Sequence, residues 1–211
     1  MKNLIEFSEN VIRIQAIESE GGATAFFINY EGGLYGVTAK HVFECKSTDK
    51  ARVFVPNQEW VTFSIVSLKF SKDEDVVIFK VGNDFPITIL NGLQYCVPDY
   101  DCYGNDVYCL GFPYNVGFDV STNGNKEIPC IKKGIVNSIS NNFLVDKMLA
   151  SGFSGGPIIM ENKVIGVISY GSYLHLNNRE TREILLDCKY VTPDEFTLCV
   201  NIEAVIELIN N

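Results

Sequence analysis

The sequence predicts an all-β fold. Three observations carry that reading: a succession of short runs rich in β-branched and aromatic residues, turn residues between nearly all of them, and a helical repeat only at the end of the chain. Short strands punctuated in this way fit a sandwich or a barrel.

The first two runs, Ala23–Asn29 and Leu34–Ala39, form a predicted hairpin. Glu31, Gly32 and Gly33 lie between them, and glycine accepts the positive φ of a tight turn. Strands are then expected at Arg52–Pro56, Trp60–Leu68, Val76–Val81, Asp106–Leu110, Gly134–Ser140, Pro157–Met160 and Lys163–Tyr170. Asn83-Asp84, Asn91-Gly92, Asn123-Gly124-Asn125, Asn141-Asn142 and Glu161-Asn162 supply turns. The stretch Pro86–Asp106, rich in Asn, Gly, Asp and Pro, reads as a bridge between an N-terminal half, residues 1–95, and a C-terminal half, residues 96–211. A short helix is expected at Thr181–Asp187. Ile202, Val205, Ile206 and Ile209 fall at i, i+3, i+4 and i+7, the apolar face of a closing helix.

Composition narrows the function. The chain has 211 residues, 46% hydrophobic and 20% charged, which is the balance of a packed globular protein and not of a disordered one. Its net charge of −9 disfavours nucleic acid and anionic membrane surfaces as partners, and no run of Lys and Arg offsets it. The N-terminal stretch MKNLIEFSENVIRIQ lacks the basic flank and apolar core of a secretion signal, and the apolar runs are too short to span a bilayer. A cytoplasmic protein is therefore expected. Seven cysteines form no Cys-x-x-Cys pair, and His41 and His175 stand far apart, so neither metal nor cofactor is expected. In a reducing compartment the cysteines are read as small apolar fillers.

Three segments carry chemistry: Val37-Thr38-Ala39-Lys40-His41-Val42, Asp75 opening the apolar run Val76–Val81, and Gly152-Phe153-Ser154-Gly155-Gly156-Pro157. Serine is a weak nucleophile and needs a base to take its proton. Imidazole, with an unperturbed pKa of about 6.5, suits that task near neutrality. A carboxylate fixes the imidazole tautomer and steadies the imidazolium. Glycines beside the serine let successive N–H groups converge on one oxyanion. Asp73 and Glu74 compete with Asp75 as the acid. His175 reads as an ordinary loop residue.

These segments resemble the chymotrypsin-like serine peptidases, in particular compact bacterial, HtrA-like protease domains without a PDZ domain. The order His, Asp, Ser matches, Gly134-Ile135-Val136 looks like a strand of their second barrel, and Gly166–Gly171 resembles the strand that pairs with substrate backbone. The resemblance implies two six-stranded antiparallel β-barrels with a C-terminal helix. His41 and Asp75 would come from the first barrel and Ser154 from the second. It further implies His41 as general base, Asp75 as orienting acid, Ser154 as nucleophile, and the amides of Gly152 and Ser154 as oxyanion hole. Met148, Leu149 and Ala150 would line the primary pocket, and Ser169, Tyr170 and Gly171 would pair with a protein or peptide substrate. The pocket carries no acid for Lys or Arg, and Ile168 stands where glutamate-specific relatives have histidine, so apolar residues are the expected preference.

The chain departs from the zymogen branch of that family. Phe153 occupies the position where an aspartate pairs with a newly cut N-terminus, so activation by N-terminal cleavage is not expected. The oxyanion loop is then either formed constitutively or ordered by a ligand, partner or oligomer. A serine endopeptidase is the leading function, and a catalytically silent peptide- or partner-binding domain of the same fold is the alternative. An α/β-hydrolase esterase is excluded by motif, chain order and the lack of alternating helices.

Overall fold

A computed structural model describes residues 4–17, 19–44, 49–56, 58–89, 91–117, 119–120, 127–139, 142–146, 149–171 and 197–211. After helix α1 (Leu4–Ser8), six strands, β1 (Val11–Ala16), β2 (Ala23–Tyr30), β3 (Gly33–Thr38), β4 (Lys50–Val55), β5 (Glu59–Phe70) and β6 (Val77–Val81), close into a barrel in the order β1-β2-β3-β6-β5-β4. A second barrel is made of β7 (Asp106–Gly111), β10 (Cys130–Ile139), β11 (Asn142–Val145), β12 (Pro157–Met160), β13 (Lys163–Gly171) and β14 (Thr197–Asn201). Its order is β10-β11-β14-β13-β12-β7, and every pairing in both barrels is antiparallel. A two-stranded ribbon, β8 (Asp119–Val120) with β9 (Glu127–Ile128), lies between β7 and β10 in the chain. Helix α2 (Ile202–Asn210) closes the chain, and the Asn201 side chain caps it by accepting from the Glu203 N–H at 2.9 Å.

Period-two alternation explains both the barrels and their union. On β2, Ala23, Ala25 and Phe27 fill the first barrel, while Phe26 and Ile28 point to the other face. That other face is also buried, because it meets Leu110, Ile159, Val164, Val167 and Val200 of the second barrel and Ile202 and Val205 of α2. Strands at the seam are therefore apolar on both faces. Strands away from it, such as β4 with Ala51, Val53 and Val55 inward, alternate with more exposed positions.

The turns follow their residues. Tyr30 pairs with Gly33 and Met160 with Lys163, so Glu31-Gly32 and Glu161-Asn162 are two-residue hairpin loops. All four of those loop residues have positive φ, as such turns require. The sequence reading omits three barrel strands as well as the β8–β9 ribbon. In β1 the polar Arg13 and Gln15 break the apolar run, yet both are buried. β11 begins at Asn142, inside the expected Asn141-Asn142 turn, and β14 falls where the sequence predicts no element. β10 also begins at Cys130, ahead of the expected Gly134. The expected helix Thr181–Asp187 and the turn Asn123–Asn125 lie outside the described residues.

Among the described cysteines, Cys102, Cys109 and Cys199 are buried, Cys130 is half-buried and Cys96 is exposed, all as free thiols. The filler reading thus fits the first three and not Cys96. Burial pushes the Cys109 thiol up to about 12.

Thr24 of β2 pins the seam. Its N–H donates to the Ser154 carbonyl at 2.9 Å, and its hydroxyl donates to the Gly152 carbonyl at 2.7 Å while accepting from the Phe112 N–H at 3.1 Å. Its own carbonyl accepts from the Thr38 hydroxyl at 2.7 Å. Thr24→Val keeps the shape but strands a buried N–H and a buried carbonyl. We expect a loss of about 1–3 kcal/mol, read as a lower urea midpoint.

Candidate active site

His41 lies in a single 3₁₀ turn, Lys40–Val42, directly after β3, and Asp75 lies two residues before β6. Because β3 and β6 are neighbours in the first barrel, their ends bring the two side chains together. The His41 backbone N–H donates to Asp75 Oδ1 at 2.9 Å, and His41 Nδ1 stands 2.8 Å from Asp75 Oδ2. That contact favours the tautomer with the proton on Nδ1, so the neutral ring presents its lone pair at Nε2. The Ser169 hydroxyl donates to Asp75 Oδ2 at 2.7 Å, from β13 across the seam. Burial by itself would raise the Asp75 carboxyl. The hydrogen bond and charge of His41, the Ser169 hydroxyl and the His41 N–H outweigh it and hold the group below its ordinary value.

The competing acids are directed elsewhere. Glu74 Oε2 accepts from Asn142 Nδ2 at 2.8 Å, on the second barrel. Asp73 lines a cavity of about 1040 Å³ between the β5–β6 turn and α2, which includes neither His41 nor Ser154. Being lined by charges of both signs, this cavity offers none of the grouping seen at Asp75.

Ser154 sits in the loop between β11 and β12. Every carbonyl from Ala150 to Ser154 has a donor. Ala150 accepts from the Phe153 N–H at 3.2 Å, Ser151 from the Tyr114 N–H at 2.7 Å, and Gly152 from the Thr24 hydroxyl at 2.7 Å. Phe153 accepts from the Gly156 N–H and Ser154 from the Thr24 N–H, each at 2.9 Å. The amides of Gly152 and Ser154, by contrast, donate to no acceptor among the described residues. In a trans peptide the N–H points opposite the carbonyl, so the pinned carbonyls fix where these two amides aim.

Two glycines make the loop possible. Gly152 has φ +99°, and a Cβ there would strike the Phe112 carbonyl. Gly155 has φ +82°, and a Cβ would strike Thr38 Oγ1 and the Thr24 carbonyl and lie 2.8 Å from the Ala39 N. Gly155 thus packs against Thr38 and Ala39, at the end of β3 just before the His41 turn, so the serine loop and the histidine turn meet on one side of the seam. Between them Phe153 is fully buried in the second-barrel core, against Gly111 and with Cys109, Phe143 and Ile158 in the same cluster.

The expected pocket and substrate residues are only partly described. Leu149 is buried and Ala150 is half-buried, whereas Met148 and His175 lie outside the described residues. Ser169 has a role the sequence did not indicate, because its side chain turns inward to Asp75. A register shift between Ile168 and Gly171 of β13 against β14 marks a bulge at Ser169 and Tyr170. Thr24 was also missed; its only trace in the sequence is a hydroxyl-bearing residue inside an otherwise apolar strand. Among the described residues no group of three or more His, Cys, Asp or Glu side chains could hold a metal ion, and no helix is long and apolar enough to cross a membrane.

Known proteins place this architecture. The chain is similar in fold to a serine endoprotease from Yersinia pestis, with a TM-score of 0.66 and 15% identity over 98% of this chain. It spans 64% of that protein's chain. It also resembles an inactive form of the Rv3671c protease (TM-score 0.62, 16% identity, 98% of this chain and 90% of the other). The same holds for Deg5 (TM-score 0.64, 19% identity, 97% and 89%). No curated protein sequence matches it. A family model described as trypsin-like peptidase domain matches residues 23–167. That match runs from β2 into β13, taking in most strands of both barrels and His41, Asp75 and Ser154: the chain belongs to the trypsin-like peptidase family.

Proposed function

We propose that the protein hydrolyses peptide bonds in protein or peptide substrates through an acyl-enzyme on Ser154. The observation that carries this is the pairing of two arrangements across one seam. Asp75 holds His41 by both its backbone and its ring, and five pinned carbonyls leave the Gly152 and Ser154 amides without acceptors among the described residues.

The chemistry follows from those groups. As Ser154 Oγ attacks the scissile carbonyl, its proton passes to His41 Nε2, and Asp75 steadies the imidazolium. The carbonyl π pair moves onto oxygen, where the amides of Gly152 and Ser154 receive the negative charge. Collapse expels the amine, which takes the proton back from His41 and leaves the acyl-serine. Water activated by the same imidazole then releases the acid and restores Ser154. The bulged stretch Ser169–Gly171 offers backbone for strand addition by the substrate, and Leu149 and Ala150 would contribute an apolar lining to the primary pocket. The buried apolar anchor at Phe153 supports a loop formed without N-terminal cleavage. The free thiols, including exposed Cys96, support a reducing, cytoplasmic setting.

A fluorophosphonate probe should add once to the wild-type protein and not to Ser154→Ala, as read by intact mass. Absence of the wild-type adduct would favour the silent peptide-binding domain. On a cleaved substrate, Ser154→Ala should lower kcat on the order of 10⁴–10⁶-fold. The labelling rate should rise from acid toward neutral pH, because only a neutral imidazole can take the serine proton; a flat profile would remove His41 as base.

Asp75 gives a separate prediction on stability. Its depressed pKa contributes stability that is fully present above the unfolded value of about 4 and is lost as pH falls through the folded value. The gap in urea midpoint between wild type and Asp75→Asn should therefore be widest near neutrality and shrink below about pH 4.

A further inference from the structure

Arg13 stands on β1 of the first barrel, yet it is only 7% exposed. Its Nε lies 3.2 Å from Oε2 of Glu127, on the β8–β9 ribbon that belongs to the second half of the chain. The guanidinium covers the Phe54 ring at 3.6 Å from its centroid and faces the Trp60 ring at 5.0 Å. The Nε–Oε2 approach is not aligned as a hydrogen bond, so charge attraction and the two aromatic faces hold the pair. A buried ion pair of this kind yields little net stability, because desolvation cancels most of its attraction. What it does supply is position.

From Glu127 a short chain of contacts leads to the serine loop. Gly117 packs against Glu127 so closely that a Cβ would fall 2.5 Å from Glu127 Cβ, and its nearby N–H favours the charged carboxylate. Upstream, the Val116 N–H donates to the Pro113 carbonyl at 3.0 Å, closing a tight turn around Tyr114. Tyr114 has φ +53°, left-handed backbone that a non-glycine residue adopts only under constraint. In that conformation its N–H meets the Ser151 carbonyl at 2.7 Å. The Ser151 carbonyl and the Gly152 N–H belong to one peptide and point in opposite directions.

We infer that Arg13 is a positioning residue for the Ser151–Gly152 peptide: by anchoring Glu127 and the 112–117 turn across the seam, it keeps the Gly152 N–H aimed at the oxyanion. The inference rests on the reading of Gly152 as an oxyanion donor. Arg13 itself touches no reacting atom.

The test compares wild type with Arg13→Met, Arg13→Lys and Glu127→Gln by hydrogen exchange and by fluorophosphonate labelling. Glu127→Gln keeps the size and the packing against Gly117, so it serves if Arg13→Met folds poorly. In Arg13→Met, exchange should quicken in peptides covering 112–117 and 149–155 and stay unchanged across β2–β3 and β12–β13. Labelling should slow on the order of 10-fold or more, since a mis-aimed oxyanion donor forfeits part of the 10²–10³ that one donor supplies. With a cleaved substrate the loss should fall on kcat and not on KM, and Arg13→Lys should recover most of it. Unchanged exchange at 112–117, or an increase spread through the whole first barrel, overturns the inference. A wild-type protein that takes no label overturns the hydrolase reading and the catalytic purpose given to Arg13, while the exchange pattern still decides whether Arg13 holds the peptide.

Discussion

The site depends on one buried threonine. Two barrels that each fold around their own core could sit in many relative positions, since apolar contact is not directional. Thr24 removes that freedom. Its N–H, hydroxyl and carbonyl engage Ser154, Gly152, Phe112 and Thr38, which belong to the serine loop, the end of β7 and the strand that leads to His41. With no water at hand, each of these groups would be left unsatisfied if the barrels slid by a fraction of a hydrogen-bond length, at a cost of about 1–3 kcal/mol apiece. A greasy seam supplies the adhesion, and the threonine supplies the register.

The same division between adhesion and aim runs through the groups proposed for catalysis. Asp75 takes bonds from His41 on its own barrel and from Ser169 on the other, so its carboxylate is itself a joint across the seam. Glu74 does likewise with Asn142. Burial of Asp75 strengthens these bonds and makes leaving any of them unmade more costly. On the proposed mechanism, these bonds fix the position and tautomer of the imidazole before any proton moves.

How much of this could be read in the sequence depends on the range of the interaction. The hairpin at Glu31-Gly32, the strand from Val77 and the closing helix were legible because turn chemistry and periodicity are local. His41, Asp75 and Ser154 were legible because each sits in a local pattern of small and apolar neighbours. β1 was not, since Arg13 and Gln15 look solvent-facing until the second half of the chain covers them. Ser169 was assigned to substrate because its strand resembles a substrate-pairing strand; nothing local says that its hydroxyl faces Asp75 from the other barrel. Thr24 was silent for the same reason, its four partners spread from Thr38 to Ser154.

The serine loop is finally a loop held from two sides by opposite physics. Inward, Phe153 is fully buried, so the peptide after Gly152 is fixed by packing that neither salt nor pH screens. Outward, the peptide before Gly152 is fixed through Tyr114, Gly117 and the Arg13–Glu127 pair, a chain that ends in charge. A family relative with an aspartate at the Phe153 position would hold the inner side by charge instead, and could be switched there by making or removing a cation. In this chain the inner side has no such handle. Any control over the Gly152 amide must then enter from the outer side, where a shift of the ribbon would turn one peptide while leaving both barrels, Asp75 and His41 in place.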